Sequence, residues 1–147
     1  YGSDLEPRMV SYSEKNIKWL GKEARIEQGD AITHQWEAPI DAVAFEGYLG
    51  RPMSLAPAEI KLKEEKMNCS AIILGFLKNL SFQIKPDTPI VMACPAWLRP
   101  DGSYSRMNLV DEIEDMGYNV KNKSREGLLY FREGQVVARD IIILRKK

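Results

Sequence analysis

A chain of 147 residues, 44% hydrophobic and 29% charged, is long enough for one domain with a sizeable core and has the balance of an ordinary soluble globular protein. Its two cysteines, Cys69 and Cys94, are far apart and lack CxxC spacing, and His34 is its one histidine; that excludes a zinc set, and free thiols suit a reducing, cytoplasmic compartment. The formal charge is zero, yet residues 118–147 hold eight Lys/Arg against three Asp/Glu, which leaves the first 117 residues at −5. The basic end suits either phosphate contact or solvated strand edges. No signal peptide is visible, and the longest apolar run, Ala71 to Leu77, is interrupted by Gly75 and too short for a membrane span. The Asn-x-Ser triplets at Asn68, Asn79 and Asn122 are chance occurrences in a cytosolic reading.

Residues 6–22 read as a helix, with Pro7 in its first turn and a buried stripe of Val10, Ile17 and Leu20 flanked by Met9 and Trp19. Arg25 to Gln28 is a short strand before Gly29-Asp30-Ala31, and Ile40 to Phe45 is a buried strand. After a loop from Gly47 to Pro57, a long helix runs to about Phe82 with Ile60, Met67, Ile73, Leu74 and Leu77 inside. Pro86-Asp87 is a turn, Pro89 to Cys94 a strand, and Pro95 to Tyr104 a loop. Leu109, Val110, Ile113 and Met116 mark a helix ended by Gly117. Leu128 to Phe131 and Val136 to Leu144 form a terminal hairpin over Arg132-Glu133-Gly134-Gln135, with Ile141 to Leu144 unbroken and so buried on both faces. Strands alternating with helices predict an open α/β sheet with helices on both faces.

In such a sheet, ligands bind at the carboxyl ends of the strands. Three carboxylates fall there: Asp4 before the first helix, Asp30 after the Arg25–Gln28 strand, and Glu46 closing the Ile40–Phe45 strand. One can take the hydroxyls of a ribose, a second can accept from an adenine amine, and a third can face the reacting partner. Asp4 alone also reads as a helix N-cap. After Glu46 the chain passes through Gly47-Tyr48-Leu49-Gly50, an aromatic residue on a loop kept slim by glycine. Trp97 and Arg99, on the loop after the Pro89–Cys94 strand, either line the substrate side or, for Trp97, cover the core edge. His34 reads as plain surface, and Tyr104 and Arg106 as weak candidates for RNA contact.

Gly2-Ser3-Asp4-Leu5-Glu6-Pro7-Arg8-Met9 resembles the second motif of class I S-adenosylmethionine-dependent methyltransferases. Gly29-Asp30-Ala31 resembles the third, and Glu46-Gly47-Tyr48-Leu49-Gly50 a variant of the fourth, the Asp/Asn-Pro-Pro-aromatic motif of amino-group methylases. The closest resemblance is to the RNA methylase group that includes the THUMP-linked tRNA guanine-N2 methyltransferases, whose terminal hairpin is similar to Gly127 to Arg145. It implies an open, mostly parallel Rossmann-like sheet with a C-terminal antiparallel hairpin. Residues 1–147 would be a single partial catalytic domain, because the family's first strand and glycine-rich turn belong in the middle of the sheet and no GxGxG-like segment occurs here. The chain is expected to be the C-terminal part of a longer protein, with sheet edges that invite a homodimer.

The resemblance implies S-adenosylmethionine as cofactor, with Asp4 on the ribose, Leu5 packed on the adenine, Asp30 accepting from the adenine amine and the Ala31 N–H meeting a ring nitrogen. Glu46 and Tyr48 would be catalytic, and Gly47, Leu49, Trp97 and Arg99 would meet the substrate. Acceptors on the two N–H groups of an exocyclic amine hold its lone pair toward the methyl group, and an aromatic side chain supports a flipped base. The implied activity is methylation of an exocyclic base amine, foremost guanine N2 in tRNA. The alternatives are a DNA amino-methylase, or a degenerate domain that binds RNA or a partner protein.

Overall fold

The computed structural model describes residues 1–37, 39–124 and 128–147, and they form two compact units, Tyr1–Trp36 and Glu37–Lys147. In the first, β1 (Gly2–Asp4), α1 (Pro7–Trp19) and β2 (Ile26–Gln28) form a parallel β-α-β turn, with Gly2 beside Ile26 and Asp4 beside Gln28. Pro7 opens α1, where a missing N–H costs nothing. The expected buried stripe is shallower than its spacing implies. Met9, Val10 and Ile17 are half-buried, while Trp19 and Leu20 are 84% and 58% exposed, because they stand at the helix end.

His34 is not plain surface. Its side chain is only 13% exposed and lies 3.4 Å from the Glu27 carboxylate. The ring meets Trp36 edge-on at 5.3 Å, and Tyr1 Oη is 3.1 Å from Nε2. Gly29 makes room for it, since a Cβ there would fall 2.1 Å from Nδ1. The Tyr1 hydroxyl also hydrogen-bonds Glu27 and, with Arg25 beside it, holds that carboxyl below its ordinary range against some desolvation.

The second unit contains β3 (Val43–Glu46), α2 (Glu59–Ser81), β4 (Pro89–Leu98), β5 (Tyr104–Ser105), α3 (Val110–Asp115), β6 (Tyr118–Val120), β7 (Leu129–Tyr130) and β8 (Val137–Lys146). The strand path is β3-β4-β8-β6, with β5 on β4 and β7 on β8. β3 runs parallel to β4, and β8 runs antiparallel to β4, β6 and β7. The fold is thus mixed α/β with an open sheet and a C-terminal strand hairpin, as the element order predicts. Gly127, where the expected hairpin similarity begins, lies outside the described residues.

Ile90, Met92, Cys94 and Ala96 of β4 stand opposite Leu144, Ile142, Asp140 and Ala138 of β8, and all eight are buried. α2 packs on this face: Phe76 stacks on Phe45 at 4.2 Å, and the Tyr118 hydroxyl donates to the Leu77 carbonyl at 2.7 Å. The buried row of α2 is Leu62, Glu65, Cys69, Ile73, Phe76, Leu77 and Leu80. Truncating one of its large apolar members costs about 2–5 kcal/mol. Ile60 and Met67, expected inside, are 87% and 63% exposed, because the true seam is out of phase with theirs.

Three strands also differ from expectation. β3 starts at Val43 and is half-covered, with Val43 and Phe45 turned inward and Ala44 and Glu46 exposed, since among the described residues it pairs only with β4. β4 does not stop at Cys94 but continues to Leu98, because β8 pairs with it as far as Trp97 opposite Val137. Pro95 is tolerated there, as it lies past Ala93, the last partner of β3. In β8, Ile142 and Leu144 are buried while Ile141 and Ile143 are only half-buried, so the apolar run has one core face and not two.

Both cysteines are free and buried. Burial, with help from the Glu65 charge, pushes the Cys69 thiol up to about 11. Iodoacetamide at pH 8 is therefore expected to leave Cys69 unlabelled in the folded chain and to label it after unfolding in urea, read by peptide mass spectrometry; native labelling within minutes would contradict this packing.

Candidate functional site

In the first unit, Asp4 ends β1 and Asp30 lies two residues beyond Gln28, its partner's strand end. The parallel pairing thus presents both carboxylates at the same end of adjacent strands, on exposed positions. Each spends one oxygen on a local turn: Asp4 Oδ1 accepts from the Glu6 N–H at 2.8 Å, and Asp30 Oδ1 from the Ile32 N–H at 2.9 Å. These are the short Asx turns that aspartate favours. They orient each carboxylate while leaving its other oxygen toward solvent. Asp4 is not the N-cap of α1, a position occupied by Glu6. Leu5 is 60% exposed beside Asp4, an apolar side chain with no core to join. Ala31 is half-buried in the turn where Asp30 accepts the N–H groups of Thr33 and His34 through its carbonyl.

In the second unit, parallel pairing sets Glu46 level with Ala93 at the carboxyl end of β3. Its carboxylate receives a two-pronged contact from Arg139 of β8, Nε to Oε2 at 3.1 Å and Nη2 to Oε1 at 3.4 Å. Glu46 is half-exposed, so this pair contributes at most about 1 kcal/mol to stability. What it fixes is direction, because a guanidinium fork holds both carboxylate oxygens in one plane. Gly47 is demanded by packing: a Cβ there would stand 2.3 Å from the Phe45 ring, which is itself stacked on Phe76. Tyr48 is 42% exposed beyond it, and Leu49 is half-buried.

The same loop is tied down by residues that the sequence reading missed. The Arg51 N–H donates to Glu65 Oε2 at 3.2 Å, and its guanidinium lies 3.4 Å from Glu65 Oε1 and 3.3 Å from Glu64. Glu65 is fully buried, so these contacts offset the cost of desolvating its charge. The legible signal was a glutamate in phase with Leu62, Cys69 and Ile73, where a helix core should be apolar.

The remaining candidates divide. Trp97 is not on a loop; it lies in β4, fully buried, and its Nε1 has no hydrogen-bond partner among the described residues, so it is a core residue and not a substrate-side one. Arg99 follows β4, exposed, and donates to Ser105 Oγ at 3.0 Å. Tyr104 donates to the Gln135 carbonyl at 2.9 Å and packs on Phe131, and Arg106 is paired at 3.2 Å with the fully buried Asp140; both side chains join structural elements. Among the described residues no group of His, Cys, Asp and Glu could hold a metal ion, and no helix is long and apolar enough to cross a membrane.

No family of known sequences matches this chain, and no curated protein does. Solved structures do. TrmN from Thermus thermophilus superposes with a TM-score of 0.64 at 16% identity, over 99% of this chain and 35% of that one. An S-adenosylmethionine-dependent methyltransferase from Clostridium acetobutylicum gives 0.56 at 11%, over 98% and 73%. The mitomycin 7-O-methyltransferase MmcR gives 0.58 at 12%, over 97% and 40%. These likenesses show a shared fold, of which the present chain spans about a third of the TrmN length.

The Gly47 contact is testable alone. Gly47→Ala is expected to lower stability by about 1–3 kcal/mol, as overpacking of a filled site does, seen as a fall in Tm; an unchanged Tm would show that the Phe45 ring yields freely.

Proposed function

We propose that this chain is the greater part of one methyl-transfer domain, which uses S-adenosylmethionine to methylate an exocyclic amine of an RNA base, guanine N2 of tRNA being the leading substrate. The observation that carries the reading is the pair Asp4 and Asp30, exposed at the same end of adjacent parallel strands in a fold shared with S-adenosylmethionine-dependent methyltransferases. The residues fit the cofactor's nucleoside end. Each carboxylate is oriented by its own turn and keeps an oxygen for a ligand hydroxyl or amine, and exposed Leu5 offers an apolar surface for a flat ring.

When bound, the cofactor supplies a methyl group activated by a sulfonium. Asp4 would hold the ribose hydroxyls, Asp30 would take the adenine amine, and the Ala31 N–H would meet a ring nitrogen. Glu46 accepts from the N–H of the target amine, which turns its lone pair outward, and Tyr48 stacks on the base. Leu49 and Gly47 shape the loop, and Arg99 faces the substrate strand. The fold leaves the acceptor atom open, since MmcR is an O-methyltransferase; the choice of an amine rests on the carboxylate-aromatic loop after β3.

The methionine half of the cofactor has no glycine-rich turn in these residues. β1 pairs with β2 alone and β3 with β4 alone among the described residues, so each has an edge able to accept a further strand. We therefore read the domain as completed by a preceding segment of a longer protein. The two free cysteines accord with a cytoplasmic setting.

One observation favours a second reading, a degenerate domain that binds RNA without chemistry. Glu46 is already occupied by Arg139, and Gly47 and Tyr48 stand where amino-methylases carry prolines.

Calorimetry with S-adenosylmethionine separates the two. A longer protein that includes the glycine-rich turn is expected to bind it, with Asp30→Ala weakening the affinity at least about tenfold, the loss of one charge-assisted hydrogen bond. The 147-residue chain alone is expected to bind weakly. No heat from the longer protein, or equal affinity for Asp30→Ala, would overturn the assignment.

A further inference from the structure

A groove of about 610 Å³ runs between the N-terminal half of α2 and the segment from Arg99 to Glu112. Its apolar lining residues are Leu62, Met67, Leu74, Met107 and Leu109. This accounts for Met67, which is exposed on a helix whose core row lies elsewhere. Its charged lining residues are Lys63, Lys66 and Arg99, against Glu59 and Glu112.

Two of those cations are held in place. Lys66 Nζ donates to the Arg106 carbonyl at 2.7 Å, and Arg99 Nη2 donates to Ser105 Oγ at 3.0 Å. Both anchors are neutral oxygens, so neither charge is neutralised by its anchor, and each side chain keeps further donors. Burial, and then the Arg99 charge, lower the Lys66 pKa, with Glu59 opposing. These two like charges repel, with Glu59 acting against this at Lys66 and Asp101 beside Arg99, and a further anion between them adds to that relief. A volume of this size takes a nucleotide-sized ligand. Cations beside apolar side chains in one lining match a nucleotide's two ends, a phosphate and a flat base.

We infer that this groove binds one nucleotide of the RNA substrate strand, its phosphodiester on Lys66 and Arg99 and its base on Met67 and Leu74. Naming RNA rests on the proposed function above; the nucleotide chemistry rests on the groove alone. A free nucleoside monophosphate has the same chemistry, and the experiment separates the two sources.

The probe is a fluorescein-labelled RNA of about 12 nucleotides, read by anisotropy against the folded chain. Lys66→Gln with Arg99→Gln is expected to weaken binding about tenfold and to lower the slope of log K against log salt by about 1.4, two released counterions on a single strand. Lys66→Arg with Arg99→Lys should retain most of the affinity. Lys85→Gln, an exposed lysine outside the groove, should change nothing. If the double glutamine variant melts early, Arg99→Gln alone is expected to weaken binding about threefold with a slope change of about 0.7.

Wild-type chain that binds no RNA, or glutamine variants that bind as wild type does, would overturn the inference. So would guanosine monophosphate binding as tightly as the strand. Methyl transfer is scored separately in the longer protein: loss of RNA affinity in the glutamine variants without any methylation by that protein sinks the proposed chemistry and leaves the groove standing, and methylation with unaltered variant affinity does the reverse.

Discussion

The pairing of β4 with β8, unbroken from Pro89 opposite Arg145 to Trp97 opposite Val137, is the constraint on which the larger unit depends. It is antiparallel, so directly opposed side chains share a face. One face collects Ile90, Met92, Ile142 and Leu144 and is sealed by α2. The other is half-open, and that asymmetry explains the alternating burial of β8. β3 adds to the far side of β4 and inherits its register, which is why the strand ends with Glu46 level with Ala93. Two buried carboxylates have a cation beside them, Asp140 with Arg106 and Glu65 with Arg51, while Glu65 Oε1 and Trp97 Nε1 lack a hydrogen-bond partner among the described residues. Breaking such a pair from one side strands a charge, whereas the exposed Glu46–Arg139 pair has mainly an orienting role.

That distinction bears on function. Glu46 stands where register places it, Arg139 sets the plane of its carboxylate, and Gly47 turns the chain over the Phe45 ring. Gly47 therefore has a packing cause within this chain and is not a sign of a slack loop. In the smaller unit, the two aspartates are exposed by strand ends and oriented by their own turns. Exposed carboxylates in such short turns add little to a core.

Much of this was legible in the chain. The element order, the terminal hairpin, the end of α3 at Gly117 and the strand-end positions of Asp4, Asp30 and Glu46 follow from punctuation by glycine and proline and from apolar runs. The failures have specific causes. The helical period in α2 was set by Ile60 and Met67, while the true seam passes through Glu65, a residue that pattern reading rejects from a core. Trp97 looked like a loop residue because Pro95 suggested a strand end, and only the ladder with β8 shows the strand continuing. Ile141 to Leu144 looked buried on both faces because composition cannot say whether a second layer exists. β6 is three residues long, too short for any periodic signal. Arg139 as the partner of Glu46 is separated from it by 93 residues and is visible only once both strands flank β4.

The central claim is methyl transfer to a base amine, and nucleoside mass spectrometry tests it directly. Transfer RNA incubated with S-adenosylmethionine and the longer protein should gain N2-methylguanosine, and Glu46→Ala should reduce the yield by about a hundredfold, the scale of losing one positioning or acceptor group at a reacting centre. RNA that gains no methylated nucleoside with wild-type protein, or gains it equally with Glu46→Ala, would contradict the account.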